Sequence, residues 1–412
     1  MNINITTPTV SHSPIQTGPG ISRTPLPRGF LTSGINSGVR KYRPDLGIIL
    51  SEVPATAVGV FTLNEMKAAP IKYCQALLPS SQIRAIVTNS GQANAATGTL
   101  GEENNYQMAA AAAKQIKCSS EQILTASTGV IGHHLAIDKI QSAMPELVMR
   151  STDNAEAFAL AILTTDLVPK SASTEVSLST GNIRITGICK GSGMIHPNMA
   201  TMLGYVLTDA QLTESQAQHL LKKTTDQSFN MISVDGDSST NDCVLMMANG
   251  MSGYSLVTEE DQNHFETALL NIMQTLAKAI ARDGEGATKL IEVSVQGSPS
   301  LELARKAARG VTLSPLVKTA IHGEDPNWGR IVARLGAEQV PEIILQKMEL
   351  AIQGTIVFRE GAVVEFDRAL LRQSLKHDTA YISIHFHSGS EYATAWGCDL
   401  SKKYVDINTE YS

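Results

Sequence analysis

Cysteine is scarce and badly placed for pairing. The 412 residues hold five, Cys74, Cys118, Cys189, Cys243 and Cys398, far apart and never in a Cys-x-x-Cys pair. That argues against a zinc ribbon and against a secreted disulfide scaffold. Positive charge is not in excess either: a formal net charge of -6 gives no general attraction to nucleic acid or to an anionic membrane, so small-molecule work is the better expectation. No apolar run reaches membrane-spanning length. The first 28 residues, rich in Ser, Thr, Pro and Gly, contain no signal-peptide core, and the first basic residue is Arg23. A cytoplasmic protein with a frayed tail over residues 1–25 is the expectation. Internal repeats, long linkers, a Gly-x-Gly-x-x-Gly fingerprint and a P-loop are also missing, which disfavours a doubly wound nucleotide fold.

What is there is ordinary globular material, 42% apolar and 17% charged, enough for one large domain or two medium ones. Residues 45–52 and 56–63 read as two paired strands broken by Pro54, and 83–88 as another. Helical spacing covers 102–117, 138–150 and 154–163, the last with Ser151 and Thr152 as cap candidates. Residues 174–179 and 183–188 form a hairpin pattern that delivers the chain to Lys190. A capping box, Thr213 with Gln216, opens a helix, and the longest helical pattern spans 258–281. Between the strand patterns 231–234 and 243–248 lies a polar loop with Asp235, Asp237 and Asp242. It mimics a calcium loop without EF-hand spacing, and a structural loop is the favoured reading. His133-His134 and the pair His385 and His387, expected on one face of a strand over 380–387, lack a ligand cluster.

The chemistry concentrates in residues 190–203. A Lys-Gly-Ser-Gly loop leads through Pro197 and Asn198 to a small residue, Ala200, and a hydroxyl residue, Thr201, that opens an apolar segment. A turn that strains the Ala200–Thr201 peptide would let the Thr201 hydroxyl attack its carbonyl and form an ester that water hydrolyses. The resulting N-terminal threonine carries nucleophile and base together, since its α-amine, with an unperturbed pKa of about 7.7 to 8.0, takes the hydroxyl proton near neutral pH. An ordinary strand residue is the plain alternative. Cys189 is a second nucleophile candidate, or a small buried residue. Ser127-Thr128-Gly129, after a strand, can aim one side-chain donor and one backbone N–H at a developing oxyanion, or can be a simple turn. Glu285, between two glycines, suits an ammonium, and Lys190 suits a carboxylate; a solvated turn and a solvated lysine are the alternatives.

Residues 190–203 resemble the self-cleavage segment of the ornithine acetyltransferase (glutamate N-acetyltransferase) family, with Ala200 and Thr201 in the cleavage positions. The resemblance continues in Ser127-Thr128-Gly129-Val130-Ile131-Gly132, Thr164-Thr165-Asp166, residues 229–250, 282–289 and 322–330, and Val405-Asp406-Ile407-Asn408. It implies an α+β fold of layered sheets sandwiched by helices. It also implies an autoprocessing enzyme that moves acetyl from N2-acetyl-L-ornithine to L-glutamate through acetyl-Thr201. Thr128 and Gly129 would form the oxyanion hole, and Thr164, Lys190, Thr201, Glu285, Asn408 and Ser412 would contact substrate. The chain ends slightly short of the family pattern at Ser412. No cofactor or metal is implied, and acetyl-CoA is left open as a second donor. Cleavage would give chains 1–200 and 201–412 that fold as one body and assemble as an α2β2 heterotetramer. A self-cleaving aminopeptidase or amidohydrolase with the same nucleophile is the alternative, separated by whether glutamate or water accepts the acetyl.

Overall fold

The computed structural model describes residues 23–196 and 202–410. Its strands in chain order are β1 (Phe30–Ile35), β2 (Leu46–Phe61), β3 (Ser80–Gln92), β4 (Ile123–Val130), β5 (Lys170–Leu178), β6 (Gly181–Lys190), β7 (Leu203–Thr208) and β8 (Ile232–Ser233). They continue as β9 (Cys243–Ala248), β10 (Leu290–Ser298), β11 (Glu349–Ile352), β12 (Thr355–Arg359), β13 (Ala362–Val363), β14 (Thr379–His385) and β15 (Glu391–Cys398). These make an eight-stranded sheet, β4-β3-β2-β9-β7-β6-β5 with β1 on β2, and a seven-stranded sheet, β13-β12-β11-β14-β10-β15-β8. The mixed sheets with flanking helices are the α+β layered class expected, and not a doubly wound fold.

Cover on both faces explains why the central strands are apolar throughout. In β9 all six residues are buried; Val244, Met246 and Ala248 enter one core, while Cys243, Leu245 and Met247 enter another. Each large side chain buried in this way contributes about 1.5–3 kcal/mol. The first core joins the two sheets through the helix Glu259–Arg282. Its stripe of Phe265, Leu269, Ile272, Met273, Leu276 and Ile280 recurs at helical spacing, and the helix packs on β5, β6 and β15. Thr258 starts that helix by accepting from the Asp261 N–H. Helices Gly98–Ile116, Ile137–Met149 and Glu156–Ala161 pack on β1 to β4.

Several expectations need correction. The expected strands 45–52 and 56–63 are one long strand, β2 (Leu46–Phe61), and not two paired ones. Its first half pairs with β1 up to Ser51 and its second half with β9 from Thr56, while its register with β3 shifts between Leu50 and Ala55. Pro54 falls in the changeover, where its missing N–H removes no ladder bond. The third helix is shorter than expected, Glu156–Ala161, and Ser151 and Thr152 do not cap it: Thr152 bridges to Thr32, and Asn154 Oδ1 accepts from the Glu156 N–H. The predicted hairpin is β5–β6, closed at Leu178 opposite Gly181. Lys190 at the end of β6 then pairs with Leu203 at the start of β7, so the strands flanking residues 191–202 are hydrogen-bonded neighbours. The polar loop after β8 crosses from the second sheet to the first, ending at β9.

Candidate functional site

A cleft with a volume of about 130 Å³ collects Thr128, Gly129, Thr164, Lys190, Glu285 and Asn408, together with Gly193, Met202, Asn241 and Asp242. Ala200, Thr201 and Ser412 lie outside the described residues. Met202, the residue after Thr201, lines the cleft, and its carbonyl accepts from the Cys243 N–H at 3.2 Å.

Lys190 is one pole. Buried at the end of β6, its ammonium donates to Thr164 Oγ1 at 2.9 Å and to Thr128 Oγ1 at 3.3 Å, and faces Asp166 Oδ2 at 3.8 Å. Burial pushes its pKa below the usual lysine value; Asp166 opposes that and Lys170 reinforces it. Because each hydroxyl accepts from Lys190, its own O–H remains to donate elsewhere. Thr128 comes from the end of β4 and is followed by Gly129, whose φ is 131°. A Cβ there would run into the backbone of Gly91 and Gln92, so only glycine lets β4 turn this close to β3. The Thr164 loop is tied down by the Arg40 guanidinium, which donates to Leu163 O at 2.5 Å.

Glu285 is the other pole. It follows the helix Glu259–Arg282 and is buried; its N–H donates to Ser192 O at 2.9 Å, and its carboxylate accepts from Asn408 Nδ2 at 2.9 Å. Gly193 lies directly against that carboxylate, where a Cβ would collide with it. Asn408 arrives on the helix Lys402–Glu410 and also donates to Tyr404 O.

The polar loop supplies two groups whose partners the sequence did not reveal. Asn241 Nδ2 donates to Ser127 O at 2.8 Å and Ala93 O at 2.5 Å, fixing the strand that presents Thr128. The only signal was its place in the polar loop. Asp235, in the same loop, accepts from the N–H groups of Met194 (2.6 Å) and Ile195 (2.8 Å), with Met194 held at φ 54°. Next to it, Arg309 donates to His196 Nε2 at 3.2 Å, which leaves Nδ1 to donate to Ser233 Oγ, also 3.2 Å away. Burial and the Arg309 charge push His196 down to about 4, so it is neutral near pH 7. The polar loop, favoured as structural, therefore holds the chain that enters residues 197–201.

Other candidates stand elsewhere. Burial pushes the Cys189 thiol up to about 12, which removes it as a nucleophile. His133 and His134 are exposed. His387 lies beyond the end of β14 at φ 50°, so it does not share a strand face with His385, although its ring lies 3.9 Å from that of His385 at a 45° tilt. Trp328 opens a helix, Trp328–Ala337, and its ring sits 5.6 Å from that of Phe358. Among the described residues no group of three or more His, Cys, Asp and Glu is arranged to hold a metal, and no helix is long and apolar enough to cross a membrane. A larger cavity of about 720 Å³ adjoins the cleft, sharing Thr165 and Glu285. Its walls include Leu167, Ala287, Leu400 and Ile407, and several of its polar side chains are engaged: His322 and Thr288 with Asp399, Ser401 with Gly286 O, Thr319 with Pro315 O. The smaller cleft, where charged and hydroxyl groups converge, is the better candidate for chemistry.

The profile of the ArgJ family matches residues 31–412. The chain is 45% identical over 393 residues to an arginine biosynthesis bifunctional protein ArgJ of Thermotoga neapolitana, covering 94% of this chain and 99% of that one. It is 43% identical over 388 residues to a protein of the same name from Lactococcus lactis, covering 94% and 97%. A crystal structure of an arginine biosynthesis bifunctional protein argJ from Bacillus halodurans shares 42% identity and a TM-score of 0.49, covering 51% of this chain and 100% of that one.

Proposed function

Since the chain belongs to the ArgJ family, acetyltransferases acting between ornithine- and glutamate-pathway intermediates of arginine biosynthesis, we propose that its cleft moves acetyl from N2-acetyl-L-ornithine to L-glutamate through an ester on Thr201. The observation that carries this reading is the convergence of the Lys190 ammonium with the Thr128 and Thr164 hydroxyls, on a cleft closed by Glu285 and Asn408. Both substrates carry an α-carboxylate for Lys190. Ornithine adds a side-chain ammonium for Glu285.

Cleavage of the Ala200–Thr201 peptide frees the Thr201 α-amine. That amine takes the hydroxyl proton as Thr201 Oγ attacks the acetamide carbonyl. The negative charge on the carbonyl oxygen is met by the Thr128 O–H, which Lys190 leaves free to donate, and by the Gly129 N–H. The C–N bond then breaks, the proton passes to the departing ornithine amine, and acetyl-Thr201 remains. Glutamate's neutral α-amine attacks the ester and loses a proton to the Thr201 amine; the ester C–O bond breaks, that proton passes to Thr201 Oγ, and N-acetylglutamate leaves. The chains 1–200 and 201–412 would stay together through the β6–β7 ladder, and we infer assembly into α2β2.

The test is a transfer assay with purified enzyme, N2-acetylornithine and glutamate. Stoichiometric ornithine and N-acetylglutamate support the reading; ornithine with free acetate and no N-acetylglutamate would make the protein a hydrolase of the aminopeptidase kind.

A further inference from the structure

Lys170 takes no part in the chemistry above, yet it is completely buried, an expensive place for an ammonium. Its three donors are all used: Asp166 Oδ1 at 2.8 Å, Asp283 Oδ2 at 2.6 Å and Val168 O at 3.2 Å. None is left for a substrate. Each carboxylate in turn holds a piece of the cleft. Asp166 Oδ1 accepts from the Gly191 N–H at 2.7 Å and Oδ2 from the Thr164 N–H at 3.1 Å, the residues that carry Lys190 and the Thr164 hydroxyl into place. Asp283 caps the C-terminal end of the helix Glu259–Arg282, where a negative charge is disfavoured by the helix dipole. It accepts from the Leu167 N–H at 3.1 Å, and its carbonyl accepts from Ser192 Oγ at 2.7 Å, two residues before Glu285.

From this geometry we infer that Lys170 is the positioning residue of the cleft: with Asp166 and Asp283 it fixes the Thr164, Lys190 and Glu285 segments to one another, and it acts on the charge of Lys190 in opposition to Asp166. The inference rests on Lys190 binding the substrate carboxylate as an ammonium. Burial opposes both charges of the inner pair, but Asp166 and Asp283 hold Lys170 above the usual lysine range, and Lys170 and Lys190 hold Asp166 well below the usual carboxylate range. Asp283 is pushed up by burial, so the firm ion pair is Lys170 with Asp166. The charges that face Lys190 are Asp166, Lys170, Glu285 and Asp242, with the Thr128 and Thr164 hydroxyls beside it.

The two inner charges act on Lys190 with opposite sign. Removing Asp166 withdraws a negative charge, lowers the Lys190 pKa and moves the alkaline limb of kcat/KM to lower pH. Removing Lys170 withdraws a positive charge, raises the Lys190 pKa and moves that limb to higher pH. The experiment is the pH profile of kcat/KM for N2-acetylornithine in wild type, Asp166→Asn and Lys170→Met. The substrate's own amine titrates alike in all three. Shifts of about one pH unit in opposite directions are expected. A purely structural role would lower kcat/KM without moving the limb in opposite directions, so an unmoved limb, or two shifts of the same sign, overturns the inference. If Lys170→Met fails to fold, Asp166→Asn decides alone, a downward shift supporting the inference and an unmoved limb sinking it. A wild type without acetyl transfer sinks the function and this inference with it; an active wild type with unmoved limbs sinks only the positioning.

Discussion

The two poles of the cleft are built differently. The Lys190 pole sits on β6, inside a sheet, against a buried chain of Asp166, Lys170 and Asp283. The Glu285 pole is closed by one side-chain bond from Asn408, on a helix with no buried residue. The difference would suit the two substrates proposed above. They share an α-carboxylate, which needs one fixed cation; their side chains end in opposite charges, an ammonium and a carboxylate, which a rigid anionic pole would not serve equally. On the proposed function, the stiffer pole would hold the shared group, and the looser one, whose carboxylate is closed by Asn408 from an exposed helix, would meet the variable one.

The comparison is sharpened first at the oxyanion. Thr128→Val keeps the shape of the side chain but removes its O–H, and kcat should fall roughly 10²- to 10³-fold for the acetylation half-reaction, read by burst kinetics of ornithine release. At the rigid pole, Lys190→Met should raise KM for N2-acetylornithine and for glutamate alike, by roughly ten- to a hundredfold, because one charge-assisted hydrogen bond is lost from each. An unchanged KM for both would remove Lys190 from this role. At the loose pole, Glu285→Gln should raise KM for N2-acetylornithine by about tenfold and leave that for glutamate equal or lower. A parallel rise for both would erase the distinction between the poles. Asn408→Ala should have the smallest effect, a few-fold change in KM confined to N2-acetylornithine, as expected for one partly exposed hydrogen bond of about 0.5–1.5 kcal/mol.

Local signals carried much of the architecture. The β5–β6 hairpin, the Thr213 capping box and the long helix after Thr258 follow from spacing within a dozen residues, and the structure has all three. Thr128, Thr164, Lys190, Glu285 and Asn408 were singled out because their side chains suit acyl transfer between amino acids or sit in segments resembling the family, and they line one cleft. What stayed hidden depends on partners distant in the chain. Nothing near Lys170 announces Asp283, 113 residues away, nor does the loop around Asn241 reveal that it will hold Ser127 O, 114 residues away. Pro54 was read by its local meaning as a strand breaker, whereas the exchange of neighbours along β2 made it harmless. Cys189 looked available beside the key loop, and only its burial against the helix Glu259–Arg282 disarms it.

The central claim is that Thr201, once freed, carries the acetyl group. It is tested most directly by intact mass under denaturing conditions, before and after incubation with N2-acetylornithine alone, for wild type beside Thr201→Ala. The account predicts two wild-type fragments, beginning at Met1 and Thr201, with only the second gaining one acetyl group, and a variant that stays whole and unacetylated. A single uncut chain in both proteins, or an acetyl group on the Met1 fragment, would contradict it.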